Sequence, residues 1–169
     1  MNDAAILSVA LAKADASQGR SITMADDVII HLPIEKVAER IADPVSMASY
    51  HPAFTGAEYL TGKEPATGNT LRWYFRMGKR RGYYDEVIAR ADRNGFETIN
   101  IGGQNISPFD LAVTRLIFQP ENSKTHVRLE VTVSLKGAWR RFLFHRLMAS
   151  TYRKYFPKIL SALKDYCEG

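Results

Sequence analysis

A chain of 169 residues with 46% hydrophobic and 24% charged side chains has the length and make-up of one globular domain with a sizeable core. Its formal net charge of +5 favours anionic surroundings without dictating a fold. The single cysteine, Cys167, excludes an intramolecular disulfide and a cysteine-based metal cluster, and a reducing cytoplasm is the expected setting.

The chain begins MNDAAILSVALAKADASQGR, with a short apolar run from Ala4 to Ala12 and Ala-x-Ala-like spacing behind it. Asp3 stands where an export signal needs basic residues, and the run is too short to cross a bilayer. Residues 1–20 are therefore expected to form an N-terminal helix or extension outside the main fold, and residues 21–169 the domain. No other stretch approaches the roughly 18 apolar residues a membrane helix needs.

Ser21 to His31 reads as a strand, and Pro33 stops it and opens a helix, "IEKVAERIA", with apolar residues at Ile34, Val37, Ala38 and Ile41. Asp43-Pro44 ends that helix and starts a second short one through "VSMASY", which His51-Pro52 ends in turn.

Beyond it the period becomes two. Leu71, Trp73, Phe75 and Met77 alternate with Arg72, Tyr74 and Arg76, which predicts a strand with one apolar face. Further strands are expected over Tyr83 to Ala91, Phe96 to Ile101, Phe109 to Phe118 and His126 to Leu135. Gly82, Asn94-Gly95, Pro108 and Pro120-Glu121-Asn122 supply turn chemistry between them. Such short connections imply antiparallel neighbours, hence a meander.

From Ala138 onward the chain is helical in pattern, broken only by Pro157. One face collects Phe144, His145, Met148, Tyr152, Tyr155, Phe156, Ile159, Leu163 and Tyr166; the other is basic, with Arg146, Arg153, Lys154 and Lys164.

In this order, and in the segments "LPIEKVAERIADPVSMASYHPAF", "EPATGNTLRWYF", "RGYYDEVIARADRNGFETI", "THVRLEVTVSL" and "KILSALKDYCE", the chain resembles the START-like superfamily, in particular its polyketide cyclase/dehydrase-type branch. The resemblance covers residues 21 to 169. It implies an α+β helix-grip (Bet v 1-like) fold. In that fold a curved antiparallel sheet, with two short helices after the first strand, wraps around a long C-terminal helix and leaves a cavity between them. It also implies binding of an apolar or aromatic small molecule, sometimes with cyclisation or dehydration of a polyketide. It supplies no transferable catalytic set. Where relatives often carry tryptophan after the second helix this chain has Tyr50-His51-Pro52, a polar, titratable pair at the expected cavity mouth.

Three side chains are candidates for chemistry. His145, on the apolar helix face, would serve as general acid/base near neutral pH, or pack as a hydrogen-bonded core residue. Arg115 sits on the same strand face as Phe109, Leu111, Val113 and Ile117. A buried guanidinium must find a carboxylate or a ligand anion, unless it lies at the rim and reaches water. Its partner depends on the hairpin "MGKRRGYYDE". If Lys79-Arg80-Arg81 form the tip, Asp85 faces inward; a two-residue tip turns Glu86 inward instead.

For ligand contact the candidates are Tyr50, His51, Trp73, Phe75, Tyr83, Phe144, Met148 and Tyr152, which offer aromatic walls with hydroxyl handles, or simply a packed core. The sequence has no G-x-S-x-G elbow, H-E-x-x-H pair, Walker loop or dinucleotide fingerprint. Gly102-Gly103 reads as a turn or bulge rather than a phosphate loop. His31, His51, His126 and His145 are scattered, so neither a metal nor a cofactor is expected. The expected partner is a hydrophobic small molecule. An anionic membrane surface is a further candidate, nucleic acid is disfavoured because the tyrosines belong to the sheet, and an oligomer stays open. The competing reading is a non-catalytic lipid or quinone carrier, or a ribosome-associated protein, that uses its basic surface.

Overall fold

The computed structural model describes residues 3–17, 21–104, 111–135 and 138–169; the side chains of 138–149 and 151 lie outside that description. Helix α1 (Asp3–Ser17) is followed by β1 (Ser21–Ile30), α2 (Ile34–Ile41), a 3-10 turn (Pro44–Ser46), α3 (Met47–Tyr50), β2 (Phe54–Tyr59), β3 (Thr70–Met77), β4 (Arg80–Asp92), β5 (Gly95–Gln104), β6 (Leu111–Glu121), β7 (Lys124–Ser134) and α4 (Ala138–Glu168). The seven strands form one antiparallel sheet in the order β1-β7-β6-β5-β4-β3-β2. Strands β2 to β7 are a meander, and β1 closes the far edge on β7. This is the α+β helix-grip arrangement expected from the order of elements.

Strand β2 has no counterpart in the sequence reading. Gly56 and a register shift between Phe54 and Gly56 break its alternation, so a six-residue edge strand leaves no period-two signal.

The β3–β4 hairpin has a two-residue tip. Met77 pairs with Arg80, leaving Gly78-Lys79 to turn the chain, with Gly78 at φ 63. A positive φ at the first turn position only is what a type II′ turn requires, and glycine takes it without strain. Arg80 and Arg81 are strand residues, so the tip is one residue shorter than three cations would make it.

Helix α4 packs its buried side chains Phe156, Ile159, Leu160, Leu163 and Cys167 on the inner face of the sheet, against Trp73, Phe96, Leu116, Phe118, Val127 and Leu129. The predicted face is rotated slightly, since Tyr155 and Tyr166 are 38% and 40% exposed at its margins. Near the end of α4, Glu168 accepts from the His31 backbone N–H at 2.7 Å and Lys164 donates to the Ile29 carbonyl at 3.0 Å, tying the helix to β1.

Helix α1 lies on the opposite, outer face. Ile6, Leu7, Ala10 and Ala14 cover a second apolar cluster of Val87, Ile99, Leu111 and Val113. No described helix is long and apolar enough to cross a membrane.

Candidate functional site

A cavity of about 350 Å³ opens between the inner sheet face and α4. Small side chains at the middle of the sheet make the room: Thr98 and Asn100 on β5, and Ala112 and Thr114 on β6, stand where larger residues would meet the helix. Larger apolar groups form the walls, namely Trp73 and Phe75 on β3, Phe96 on β5, Leu129 and Val131 on β7, and Tyr152, Phe156 and Ile159 on α4. Met77, 54% exposed, lines the cavity together with exposed Arg80 and Tyr155, so these three mark its mouth.

Glu86 lines this cavity and is only 4% exposed. Its inward aim follows from the hairpin register: with Met77 paired to Arg80, Leu71 faces Glu86 and Arg72 faces Asp85, so the even positions Tyr84 and Glu86 join Leu71 and Trp73 inside. A bulge at Ile101 lies alongside, where the β4–β5 register steps from Asp85↔Gly102 to Glu86↔Asn100. The Gly102-Gly103 pair thus borders a bulge beside the buried acid, a place where bulges commonly re-aim side chains.

The Trp73 indole N–H donates to Glu86 Oε2 at 2.8 Å. Burial nevertheless pushes the Glu86 carboxyl up to about 7, against the opposing influence of Thr98 and Trp73. The Thr98 hydroxyl is itself buried and, among the described residues, has no complete hydrogen bond. A carboxyl that titrates near neutrality at the wall of an apolar cavity can both give and take a proton.

His51 lines the cavity beside Phe54, with the two rings stacked at 3.8 Å between centroids. Its Nδ1 accepts from the Ala53 backbone N–H at 3.2 Å, which places the proton of the neutral ring on Nε2. Burial pushes the imidazole down to about 4; part of the residue remains open to the surface, which tempers a fall caused by burial alone. Phe54 continues the aromatic wall to Trp73 at 4.9 Å and Tyr84 at 5.9 Å. Burial holds the phenol of Tyr84 well above its ordinary range and that of Tyr152 up to about 12, so both stay neutral donors.

The sequence-predicted residues divide accordingly. His51, Trp73, Phe75 and Tyr152 line the cavity. Asp85 does not: it lies on the outer face, where Arg72 grips it through Nε and an Nη at 2.7 and 2.9 Å. Tyr83 is also outside, under the Arg72 guanidinium at 3.9 Å. The cause for both is the two-residue hairpin tip.

Arg115 is corrected as well. It does share a strand face with Leu111 and Val113, but that face is the outer one, which α1 covers. There Arg115 donates to Glu97 at 2.7 and 3.3 Å and lies 4.0 Å from Glu130, forming a cross-strand ion ladder rather than a ligand contact. Tyr50 is buried at 7% exposure against Tyr166 in the core behind the cavity, and does not line it. The side chains of Phe144, His145 and Met148 lie outside the described residues.

The sequence puts Glu86 forward only as the alternative to Asp85, and it gives Tyr84, Phe96, Thr98, Asn100, Ala112 and Thr114 no role in a site. One signal was available: in "GFETIN" the inner positions Phe96, Thr98 and Asn100 put two polar groups where a closed core wants apolar ones.

Residues 21–168 match the family described as polyketide cyclase/dehydrase and lipid transport. No curated protein matches the chain in sequence. Among solved structures, the Zhui aromatase/cyclase from a Streptomyces species superposes with a TM-score of 0.69 at 12% identity, over 88% of this chain and 94% of that one. A Thermus thermophilus protein gives 0.68 at 18% identity, over 86% and 97% of the two chains. A START superfamily protein from Mycobacterium smegmatis gives 0.63 at 14% identity, over 85% and 97%. At these identities the likeness is one of fold.

Proposed function

Because the chain belongs to the polyketide cyclase/dehydrase and lipid transport family, we propose that it binds a polyketide-like, aromatic or lipid-like molecule in the cavity between sheet and α4, and that Glu86 moves protons on a ligand able to cyclise or dehydrate. The observation that carries this reading is a 350 Å³, mainly apolar cavity with one buried, near-neutral carboxyl in its wall. The volume falls in the usual range of small-molecule sites, roughly 300–1,000 Å³. In such chemistry the carboxylate form takes a proton from an activated carbon, and the resulting acid returns it to the oxygen that develops charge. The dry walls keep water from competing.

The family supplies the fold; the ligand must come from the site. Native mass spectrometry of protein purified from its own host is expected to show a retained apolar small molecule. Ala112→Phe, which fills part of the cavity, is expected to lose that mass and to weaken binding of the neutral fluorophore N-phenyl-1-naphthylamine at least tenfold while unfolding as the parent does. Undiminished fluorophore binding in Ala112→Phe would place the ligand elsewhere.

The carrier reading keeps one specific observation. The mouth combines exposed apolar Met77 with cationic Arg80, which follows Lys79 of the hairpin tip in the chain. An apolar prong beside cationic side chains suits an anionic membrane surface. Co-sedimentation is expected with vesicles containing phosphatidylserine and not with phosphatidylcholine alone, falling with added salt and with Met77→Glu. Equal sedimentation with both vesicle types would remove this reading.

A further inference from the structure

We infer that the inner wall of the cavity recognises one uncharged carbonyl oxygen of its ligand, through hydrogen-bond donors supplied by Glu86 and Thr98. This rests on the ligand-binding reading above and narrows its substrate class to ketones, enones or quinones among apolar molecules.

A count of donors and acceptors leads there. Trp73, Glu86 and Thr98 are 1%, 4% and 0% exposed, and all three line the cavity. The indole N–H occupies Glu86 Oε2, and the buried Thr98 hydroxyl, which has no complete hydrogen bond, stands close enough to the carboxyl to influence it. With Glu86 protonated, the group holds three donors: one N–H and two O–H. If Glu86 donates to Thr98, the threonine hydroxyl is left to donate onward; if Thr98 donates to the carboxyl, the Glu86 O–H is left. Either way a donor is left without an acceptor, and a buried donor without a partner costs about 1–3 kcal/mol. An acceptor oxygen from the ligand satisfies it, whereas a ligand ammonium or amide N–H adds yet another donor.

The titratable groups that share the cavity are His51 ahead of β2, Arg80 and Tyr84 on β4, and Tyr152 and Tyr155 on α4. Burial keeps His51, Tyr84 and Tyr152 uncharged at neutral pH, and Arg80 is exposed at the mouth. Thr98 and Asn100 on β5 and Trp73 on β3 carry no charge. Trp73 and Thr98 favour the ionised form of Glu86 as donors, but burial outweighs them, and none of these described groups brings a buried positive charge to the carboxyl. A carboxylic acid kept neutral by an apolar site and used as a donor to a ligand oxygen is an established device in carbonyl chemistry.

The test compares 2-acetylnaphthalene with 2-isopropenylnaphthalene, in which a methylene replaces the carbonyl oxygen, each displacing N-phenyl-1-naphthylamine from the full chain. Near pH 6 the ketone is expected to bind about tenfold more tightly, as for a site whose buried donors are left unpaired by the hydrocarbon. The preference is expected to shrink near pH 9, to survive Glu86→Gln without its pH dependence, and to fall in Glu86→Leu and in Thr98→Val. Equal binding of the two probes, or tighter binding of the hydrocarbon, overturns the inference and leaves the cavity reading standing. If neither probe displaces the fluorophore and the fluorophore itself does not bind, the ligand-binding reading falls with it. The comparison on the unmodified chain decides the matter even where a variant does not fold.

Discussion

Glu86→Gln is expected to stabilise the ligand-free protein by roughly 3 kcal/mol near pH 8 relative to its effect near pH 4. Burial holds this carboxyl at about 7, against 4.5 in solvent. Between those values the folded chain keeps a proton that the unfolded chain has released. The contribution of Glu86 to stability is therefore fully present below 4.5 and is lost as pH rises through 7, and the gap corresponds to about 3 kcal/mol. His51 acts with the opposite sign. Its imidazole is held at about 4 against 6.5 in solvent, so its contribution is present above 6.5 and is lost as pH falls through 4.

The two slopes oppose each other between pH 4.5 and 6.5 and largely cancel in the parent chain. Removing one uncovers the other. In urea denaturation across this window, Glu86→Gln is expected to gain stability as pH rises, and His51→Gln to lose it, each relative to the parent, by up to roughly 2–3 kcal/mol. Carboxylates such as Glu168, which is lowered by its hydrogen bonds from His31, contribute equally to all three chains and drop out of the differences. Curves for Glu86→Gln and the parent that run parallel from pH 4 to 8 would mean that Glu86 is ionised in the folded protein.

Trp73→Ala is expected to cost about 3–5 kcal/mol, because it empties the space of an indole that is 1% exposed between Phe54, Tyr84 and the helix. The smaller change Trp73→Phe separates packing from polarity. It keeps much of the ring and removes the N–H that holds Glu86 Oε2 at 2.8 Å. Its cost, about 1–3 kcal/mol, should be larger at pH 8 than at pH 5, since an ionised carboxylate depends on that donor more than a neutral acid does. In the same variant the Glu86 titration should move further up, which a carboxyl-specific NMR titration would follow. An equal cost at both pH values, with an unmoved titration, would reduce Trp73 to a packing residue.

The legible part of this molecule is the part carried by local signals. Alternation in Leu71, Trp73, Phe75 and Met77 marks one apolar face of β3, and those residues do face inward. Turn residues marked the hairpins, and apolar spacing in "IEKVAERI" marked α2, whose Val37 and Ile41 are fully buried. Strand β2 escaped because its bulge interrupts the period on which such reading depends.

The candidate site was less legible, for a reason visible in Asp85 and Arg115. Alternation divides a strand into two faces without saying which one is inside, and this sheet buries apolar groups on both. Leu111 and Val113 are apolar because α1 covers them from outside, so Arg115 in their company belongs to the outer ion ladder with Glu97. Asp85 and Glu86 exchange roles with a single residue of hairpin length, and a short tip containing Gly78 admits either register.

By itself, then, the sequence determined the order of the elements other than β2, the antiparallel meander and the family, because periodicity, turn chemistry and motif order are properties of neighbouring residues. Only the tertiary structure decided that Glu86 with Thr98 forms the polar part of the cavity wall. That outcome depends on register across β3, β4 and β5 and on which sheet face each of the helices α1 and α4 covers, and these are settled by packing between segments far apart in the chain.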